Sequence, residues 1–225
     1  NLLRDGVPEG DMAATGNTGI AALLTTVGKS IPFADPALEH LASSARPILL
    51  VTTHRRENWG DTMHGVGRAL ARIARSEPDQ VIVLPAHRNP IVREALLPYL
   101  DGLENVLVTE PLPYGEFTRI LGLARIVLTD SGGVQEEAPS LGKPVLVMRE
   151  NTERPEAVDS GTVMLIGTNE DRIVKEVDRL IHHTEHYEAM ANAVNPYGDG
   201  DASRRVVAAI EQLLGVGTRA EDFQP

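Results

Sequence analysis

The sequence predicts an α/β fold in which a parallel sheet carries helices on both faces. Segments with a strand pattern and segments with a helix pattern alternate six times along the chain. The connections between them are short and carry no hairpin signals, so the strands are expected to run parallel. The strand segments are continuous apolar and β-branched runs, which is typical of strands buried on both faces. Together these observations favour a Rossmann-like sheet, whose ligands bind beyond the carboxyl ends of the strands.

The strand and helix signals follow one another from residue 48 onward. Strands are predicted over residues 48–53, 81–84, 106–108, 125–129, 144–148 and 162–166. Helices or helical turns are predicted over residues 62–76, 90–99, 114–122, 134–142, 155–160, 169–183, 185–194 and 201–214. Asp61 is predicted to cap the first helix, Asn89 and Pro90 to open the second, and Gly142 to end the fourth.

A glycine-containing turn lies at the centre of this pattern. The segment Leu128-Thr-Asp-Ser-Gly-Gly-Val-Gln-Glu-Glu-Ala138 reads as a buried strand, a tight turn and a helix start. Glycines let a ligand approach the backbone, and the N–H groups of a helix's first turn favour phosphate. Glu137, about one turn after Gly133, could accept hydrogen bonds from a ribose diol. The segment predicts a nucleotide diphosphate site at Ser131, Gly132 and Gly133, although such turns also occur without a ligand.

Two polar clusters follow other predicted strands. They are Thr53-His-Arg-Arg-Glu-Asn58 and Ala86-His-Arg-Asn89. A histidine and an arginine at the mouth of a sheet can interact with phosphates, so we interpret His54 as lying beside the phosphates or the reacting sugar. His87 is the weaker candidate, because Asn89 already serves the helix start. An ordinary solvated loop is the alternative in both cases.

Further candidates lie outside these clusters. Arg149 and Arg154 flank the turn after the strand at 144–148, and either could form a forked contact with a diphosphate. Phe117 either borders a base pocket or packs in the core. Three histidines lie on a polar segment and could suggest a metal site. Nothing nearby completes a set of metal ligands, so we predict a surface helix and no metal site. Those histidines are His182, His183 and His186.

The composition restricts the range of partners. The 225 residues include no cysteine and carry a formal net charge of −11. The lack of cysteine excludes disulfides, thiol nucleophiles and cysteine-based zinc sites. The negative charge argues against a nucleic-acid or anionic membrane partner, and no apolar run approaches the roughly 20 residues of a membrane span. We therefore expect a cytoplasmic protein without nucleic-acid or membrane partners.

Three parts are predicted along the chain. Residues 1–45 lack a strong core pattern and contain prolines typical of a connector, or of the tail of a preceding domain. Residues 46–195 form the Rossmann-like domain. Residues 196–225 form a C-terminal helix and tail that we expect to cross back toward the preceding domain. Because the chain starts at Asn1 without Met, we expect it to be part of a longer protein.

Four ordered motifs resemble the non-hydrolysing UDP-N-acetylglucosamine 2-epimerases. They are Thr52-Thr-His-Arg-Arg-Glu-Asn58, Asp130-Ser-Gly-Gly-Val-Gln-Glu-Glu137, Gly142-Lys-Pro-Val145 and Arg149-Glu-Asn-Thr-Glu-Arg-Pro155. Residues 16–18 also resemble the interdomain region of that family, and the similarity runs from residue 1 to about 214. The resemblance implies two Rossmann-like domains in the GT-B arrangement, of which this chain is the second half plus the connector. We expect a full-length protein of this kind to form a homodimer.

The resemblance also implies how the nucleotide is held. Ser131, Gly132 and Gly133 match positions that hold the UDP phosphates. Glu137 matches the glutamate that binds the ribose. Phe117 matches a residue whose backbone meets uracil.

Other matched positions concern the sugar and regulation. His54 matches the active-site histidine, and Arg154 matches an arginine in substrate binding. Arg55 and His87 match positions that touch a second, regulatory UDP-sugar in some bacterial members. Leu112 stands where some members have a glutamine that contacts the substrate, so that contact is in doubt here.

The implied reaction interconverts UDP-N-acetylglucosamine and UDP-N-acetylmannosamine. UDP leaves by anti elimination and adds back after a proton returns to the other face of C2. A base must face the C2–H bond, and the growing charge of the departing diphosphate must be stabilised. In the family the acid/base carboxylates lie in the first domain, so this chain would supply the UDP-binding half and be inactive alone. No cofactor and no metal are needed.

Three alternatives remain open from the residues. A GT-B glycosyltransferase also grips a sugar nucleotide with a Gly-Gly turn and a following glutamate, although the His-Arg-Arg-Glu-Asn segment favours the epimerase. A stand-alone UDP-binding module would bind UDP without a catalytic partner domain. A hydrolysing epimerase would release free N-acetylmannosamine.

Overall fold

Six parallel strands form a single sheet in the part of the chain that the structure describes. The structure is a computed structural model, and it describes residues 2–53, 55 and 60–225. The strands are β1 (Ile48–Thr52), β2 (Val81–Pro85), β3 (Val106–Thr109), β4 (Ile126–Thr129), β5 (Val145–Val147) and β6 (Val163–Leu165). Their order is β3-β2-β1-β4-β5-β6, with every neighbouring pair parallel. The predicted Rossmann-like sheet is confirmed.

This strand order locates a ligand site. The chain first builds outward from β1 to β3 and then crosses to β4 on the other side of β1. The helices that follow β1 and β4 lie on opposite faces of the sheet, which leaves a crevice at the carboxyl ends of these two strands. Ligands of open α/β sheets bind at such a switch point. The segments after Thr52 and Thr129 therefore face each other across the crevice.

Helices cover both faces of the sheet. They are α1 (Thr18–Val27), α2 (Pro36–Ser43), α3 (Asp61–Ser76), α4 (Pro90–Leu100), α5 (Tyr114–Leu123), α6 (Gly132–Glu137), α7 (Pro155–Asp159), α8 (Glu170–His182), α9 (Thr184–Ala191) and α10 (Ala202–Leu213). Short 3₁₀ turns lie at Glu9–Asp11 and Ala138–Leu141. None of the helices described is both long and apolar enough to cross a membrane.

Two hydrophobic clusters hold these layers together. Successive residues of a strand point to opposite faces of the sheet, so β1 contributes to both clusters. Leu49 and Val51 pack with α3, α4 and α8 on one face, whereas Ile48 and Leu50 pack with α1, α2 and α5 on the other. All of these strand residues are buried, as the continuous apolar run predicts.

The helix ends agree with most of the sequence signals. The Asn89 side chain accepts a hydrogen bond from the backbone N–H of Ile91, which confirms it as an N-cap before Pro90. Gly142 ends the 3₁₀ turn after α6 in the left-handed region, with φ 65°. The prediction of Asp61 as a cap is wrong by one residue. Asp61 is the first helical residue, and the capping position is taken by Gly60, whose φ of 85° is accessible mainly to glycine.

Residues 18–43 contribute more to the core than their sequence pattern indicated. Leu23, Phe33, Leu38 and Leu41 are buried in the cluster that covers one face of the sheet. The predicted connector contains the helix α2, which Asp35 caps by accepting from Ala37 N. The prolines that suggested a connector include the first-turn residue of this helix, a position where proline needs no N–H.

An ion pair fastens α2 to α5. The two Nη atoms of Arg119 donate to the Glu39 carboxylate at 2.6 and 3.0 Å, and the backbone N–H of Phe33 donates to the same group. The hydrogen bond from Arg119 is the largest of the effects that lower the pKa of Glu39 to about 2. The pair is solvent-exposed, so salt screens it and its contribution to stability is small. The segment before β1 is nevertheless attached to the sheet at a defined position.

Candidate functional site

A pocket of about 370 Å³ opens at the switch point of the sheet. Residues from the ends of β1 and β2, from the segment after β3 and from the starts of α5 and α6 form its wall. They are Thr52, Thr53, Pro85, His87, Pro111, Leu112, Tyr114, Phe117, Ser131, Gly133, Val134 and Glu137. Five residues predicted from the sequence are thereby brought to one place. These are Ser131, Gly133, Glu137, Phe117 and His87.

A larger groove lies elsewhere, along the outer edge of the sheet. It has a volume of about 870 Å³ and runs between α4 and β3, with mostly apolar walls. None of the residues predicted to carry chemistry lies in it. Ligands of this fold bind at the carboxyl ends of the strands, so the smaller pocket is the candidate site.

The glycine turn is fixed to the sheet by two threonines. The backbone N–H of Ser131 donates to Thr129 Oγ1 at 2.9 Å, and Thr129 Oγ1 lies 2.6 Å from Thr52 Oγ1 across the β1–β4 pair. Ser131 occupies the N-cap position of α6, yet its side chain makes no capping hydrogen bond. The Ser131 hydroxyl therefore leaves the N–H groups of the first turn without a capping hydrogen bond.

The two glycines of the turn have different neighbours. A Cβ built on Gly133 would meet nothing within 4 Å, so this residue faces open space in the pocket wall. A Cβ on Gly132 would lie 2.8 Å from Nη1 of Arg154 and 2.9 Å from its Cζ. The guanidinium of Arg154 therefore packs directly against Gly132. A larger residue at this position would displace the Arg154 guanidinium, whereas the backbone of Gly132 itself does not adopt a positive φ.

Glu137 and its neighbour Glu136 point in different directions. Glu137 lines the pocket, whereas Glu136 accepts hydrogen bonds from Arg154 Nε at 2.5 Å and from Asn17 Nδ2 at 2.6 Å. Burial is the main cause that raises the pKa of Glu137, and the charge of Glu136 adds to it. Burial likewise raises the pKa of Tyr114, with a smaller effect from Glu137. Glu137 is thus a partly desolvated acceptor inside the pocket.

Three arginines converge beside the turn around the carboxylate of Glu153. Arg149 donates to it through both Nη atoms, at 2.7 and 2.9 Å. Arg55 Nη1 and Arg154 Nη1 each approach it to 3.6 Å. The hydrogen bond from Arg149 is the main cause that lowers the pKa of Glu153 to about 2. A cluster of positive charge, partly neutralised by Glu153, therefore lies beside the glycine turn.

The polar cluster after β1 is described only in part. Asp130 is fully buried at the end of β4, and its Oδ2 accepts from the backbone N–H of Arg55 at 3.0 Å. This contact holds the segment after β1 against the glycine turn. His54 and residues 56–59 lie outside the described residues, so the prediction for His54 has no structural counterpart.

Sequence reasoning singled out neither Thr53 nor Tyr114, which both line the pocket. Thr53 is almost fully buried, and its Oγ1 has no hydrogen-bond partner within the described ranges. Most buried hydroxyls have a hydrogen-bond partner, so Thr53 is an exception among the residues described. Tyr114 also lines the pocket, and it begins α5 at the point where the chain returns from β3. The available signal for both was their position just after the carboxyl end of a strand.

The histidines of α8 and α9 are not among the residues that line this pocket. His182 Nε2 is 2.9 Å from Glu77 Oε1 and 3.6 Å from Asp178 Oδ1, which joins α8 to the end of α3. The hydrogen bond to Glu77 is the main cause that raises the pKa of His182. These three side chains could surround an ion, but two of them are exposed and already pair with each other. His183 and His186 do not join this group.

The sheet order and the pocket at the switch point define a Rossmann-like α/β domain, the class that binds ligands at the carboxyl ends of its strands. The family model of UDP-N-acetylglucosamine 2-epimerase matches residues 1–211. The chain belongs to the UDP-N-acetylglucosamine 2-epimerase family.

Individual relatives agree with this membership. A protein of the same family from Ralstonia nicotianae is 50% identical over 217 residues, which cover 94% of this chain and 58% of the relative. A crystal structure of a family member from Listeria monocytogenes superposes with a TM-score of 0.91 at 44% identity, covering 100% of this chain and 59% of that one. The UDP-GlcNAc 2-epimerase of Neisseria meningitidis, solved with UDP-GlcNAc bound, gives a TM-score of 0.82 at 40% identity, covering 95% and 58%. The chain thus spans less than two thirds of the length of these relatives.

Proposed function

We propose that this chain is the UDP-binding half of a UDP-N-acetylglucosamine 2-epimerase, an isomerase that interconverts UDP-GlcNAc and UDP-ManNAc. The observation that carries the proposal is the pocket at the β1–β4 switch point, which combines a glycine turn, a desolvated glutamate and an aromatic wall. Membership of the family and the bound UDP-GlcNAc of the Neisseria relative support this choice of ligand.

In the proposed complex, each part of UDP meets a different wall of the pocket. The diphosphate lies against Ser131, Gly132 and Gly133, where backbone N–H groups are available and Arg154 lies close by. The ribose diol donates to Glu137, which is within the same pocket. Uracil lies against Phe117, whose side chain packs on the apolar cluster of α5 and α6.

The chemistry assigned to this half is stabilisation of the leaving UDP. Breaking the C1–O bond transfers negative charge to the diphosphate, and fixed donors stabilise that charge better than they stabilise the ground state. Arg154 beside the turn and the N–H groups of α6 supply such donors. The proton transfers at C2 need a base and an acid, which we assign to the other domain of the enzyme. Arg55 and His87 are proposed contacts for a regulatory UDP-sugar.

The division of the chain into domains is part of the proposal. Residues 46–195 form the nucleotide domain, residues 1–45 join it to a preceding domain, and residues 196–225 return toward that domain. Exposed apolar residues of α10 support this arrangement, since they recur every three to four residues and lie on one face of the helix. They are Val207, Ile210, Leu213 and Leu214, each between 51% and 85% exposed. We propose that the two-domain enzyme is a homodimer. A measurement of its mass in solution tests this.

The 225-residue chain is expected to bind UDP but not to epimerise UDP-GlcNAc. It supplies the diphosphate site, whereas deprotonation of C2 requires a base from the preceding domain. UDP binding is measured by calorimetry, and epimerisation is followed by NMR as exchange of the C2 proton in deuterated water. A longer protein that contains both domains is the positive control. Exchange at C2 catalysed by the short chain would place a base within these residues and refute the division of labour. Sugar transfer to an added acceptor would favour a glycosyltransferase instead.

Glu137→Gln is expected to weaken binding of uridine and UDP by a similar factor. Glutamine keeps the shape of the side chain but removes the charge from a hydrogen bond worth about 1–3 kcal/mol. In the parent chain, uridine affinity should fall as the pH drops through the raised pKa of Glu137, because a protonated carboxyl loses an acceptor site. The variant should lose this pH dependence. Calorimetry with uridine between pH 4 and pH 8 checks the assignment. Glu156→Gln, on the exposed start of α7, is the control. Unchanged uridine affinity in Glu137→Gln would remove Glu137 from the ribose site.

A further inference from the structure

Glu136 connects the glycine turn to the start of α1. One carboxylate oxygen accepts from Arg154 Nε at 2.5 Å, and the other accepts from Asn17 Nδ2 at 2.6 Å. Asn17 also caps α1, because its Oδ1 accepts from Gly19 N at 2.8 Å. The Glu136 side chain is only 19% exposed, so both hydrogen bonds are partly shielded from water. A single carboxylate thus fixes an arginine at the pocket and the first turn of a helix in the connecting segment.

The backbone of Arg154 is anchored to α6 as well. Its N–H donates to Thr152 Oγ1 at 3.1 Å, and Thr152 Oγ1 donates to Gln135 Oε1 at 2.8 Å. Gln135 is fully buried, and its Nε2 donates to the carbonyl of Ser131 at 3.1 Å. The loop after β5 is therefore tied to the glycine turn through the residue that precedes Glu136. Glu136 completes the arrangement by fixing the side chain.

Glu136 occupies one edge of the guanidinium, and the Nη atoms lie beside the turn, where Nη1 is also 3.6 Å from Glu153. Glu136 accepts the hydrogen bond from Nε of Arg154. Nη1 and Nη2 of the same side chain lie 2.8 and 3.1 Å from the position that a Cβ on Gly132 would occupy. An arginine held in this way has already lost its rotamer freedom before the ligand binds. Guanidinium groups bind phosphate oxygens through paired N–H donors in a fixed geometry.

We infer that Glu136 is a positioning residue that holds the Arg154 guanidinium over the glycine turn for a nucleoside diphosphate and does not itself contact the ligand. The inference rests on the proposed function, since it requires a diphosphate at this turn. It also explains why two adjacent glutamates of α6 are needed: Glu137 faces the ligand, and Glu136 faces the arginine that the ligand meets.

If Glu136 acted only through its charge, its removal would change UDP affinity in the opposite direction. A carboxylate near a diphosphate repels it, so removal of the charge alone should strengthen UDP binding. Glu153 offers a matched control, because its carboxylate also approaches Arg154, at 3.6 Å, while 57% of its side chain is exposed. Glu153 mainly pairs with Arg149, and it does not fix Arg154 at its Nε.

The test compares Glu136→Met with Glu153→Met in the 225-residue chain. Methionine has a similar length and cannot accept a strong hydrogen bond. Glu136→Met should raise the dissociation constant of UDP about tenfold, as expected for the loss of an oriented charged donor. Uridine affinity should stay at the parent value, because uridine has no phosphate. Glu153→Met should bind UDP at least as tightly as the parent. Glu136→Gln, which retains one acceptor oxygen, should lie between the parent and Glu136→Met.

A double variant tests whether the effect passes through Arg154. In an Arg154→Gln background, Glu136→Met should cause no further loss of UDP affinity, because the arginine that it positions is absent. An additional tenfold loss in that background would overturn the inference, as would UDP binding by Glu136→Met that is as tight as the parent's. Equal losses of affinity for uridine and for UDP would show damage to the whole pocket and would also overturn the inference. A parent chain that binds neither ligand would refute the proposed function itself.

Discussion

Gly133→Val is expected to weaken UDP binding by about 100-fold or more, while the fold remains intact. An added Cβ at this position meets nothing within 4 Å, so the substitution creates no clash inside the protein. Gly133 lies in the wall of the pocket, and the two methyl groups of valine would occupy the space in which a phosphate reaches the N–H groups of the turn. Losing several charge-assisted hydrogen bonds at once corresponds to two or more factors of ten in affinity.

The measurement is calorimetry with UDP and with uridine on the 225-residue chain. Uridine affinity should fall far less than UDP affinity, because only the phosphates compete with the valine for space. Gly10→Val is the matched control, since a Cβ there also meets nothing within 4 Å and Gly10 lies in the 3₁₀ turn Glu9–Asp11. Valine is no poorer a helix former than glycine, so circular dichroism and the melting temperature should change little in either variant. A folded Gly133→Val chain with parental UDP affinity would exclude the turn as the phosphate site.

The fold could be predicted from the sequence because its signals are local. Each strand is a short apolar run, and each helix start at Asn89 and Asn169 carries its own capping side chain. The order of the strands is not a local property, since β1 pairs with β4 through residues that lie more than 70 positions apart. The alternation of strands and helices indicated the sheet class, but only the structure gives the register that sets Thr52 opposite Thr129.

In the candidate site, too, the residues of a local motif could be predicted, whereas contacts between distant residues could not. Ser131, Gly133 and Glu137 share one turn and one helix start, so their motif identified them. Helical geometry further indicated that adjacent glutamates would point about 100° apart. It could not indicate that Glu136 would meet both Arg154 and Asn17, because those contacts span 18 and 119 residues. Nor could it distinguish Gly132, which the Arg154 guanidinium approaches, from Gly133, which borders open space.

Two sequence signals were interpreted wrongly or missed for physical reasons. The segment before β1 appeared to lack a core pattern because α2 has only eight residues and buries just Leu38 and Leu41. Two apolar positions are too few to establish a helical period. Thr53 was not singled out within the polar cluster after β1, because a threonine at the end of a strand is common. Its importance arises from burial and from a hydroxyl that lacks a partner among the residues described.

His54→Asn is expected to lower kcat of the two-domain enzyme by about 10²-fold or more, a range typical of lost acid–base or electrostatic contributions. His54 lies outside the described residues, but its neighbours in the sequence are described on both sides. It follows Thr53, which lines the pocket at the end of β1, and it precedes Arg55, whose backbone is held by Asp130. In either protonation state an imidazole carries an N–H that can donate to a phosphate oxygen.

That donation becomes stronger as the C1–O bond breaks and negative charge accumulates on UDP. An interaction that strengthens only in the transition state affects kcat more than KM, so UDP affinity should fall less than turnover. The measurement is steady-state epimerisation of UDP-GlcNAc, combined with calorimetry for UDP and circular dichroism as the fold control. His40→Asn, on the exposed face of α2, is the matched control and should retain parental turnover. A folded His54→Asn enzyme with near-normal kcat would leave the glycine turn as the main support for the epimerase, and glycosyltransferases of the GT-B class share that turn.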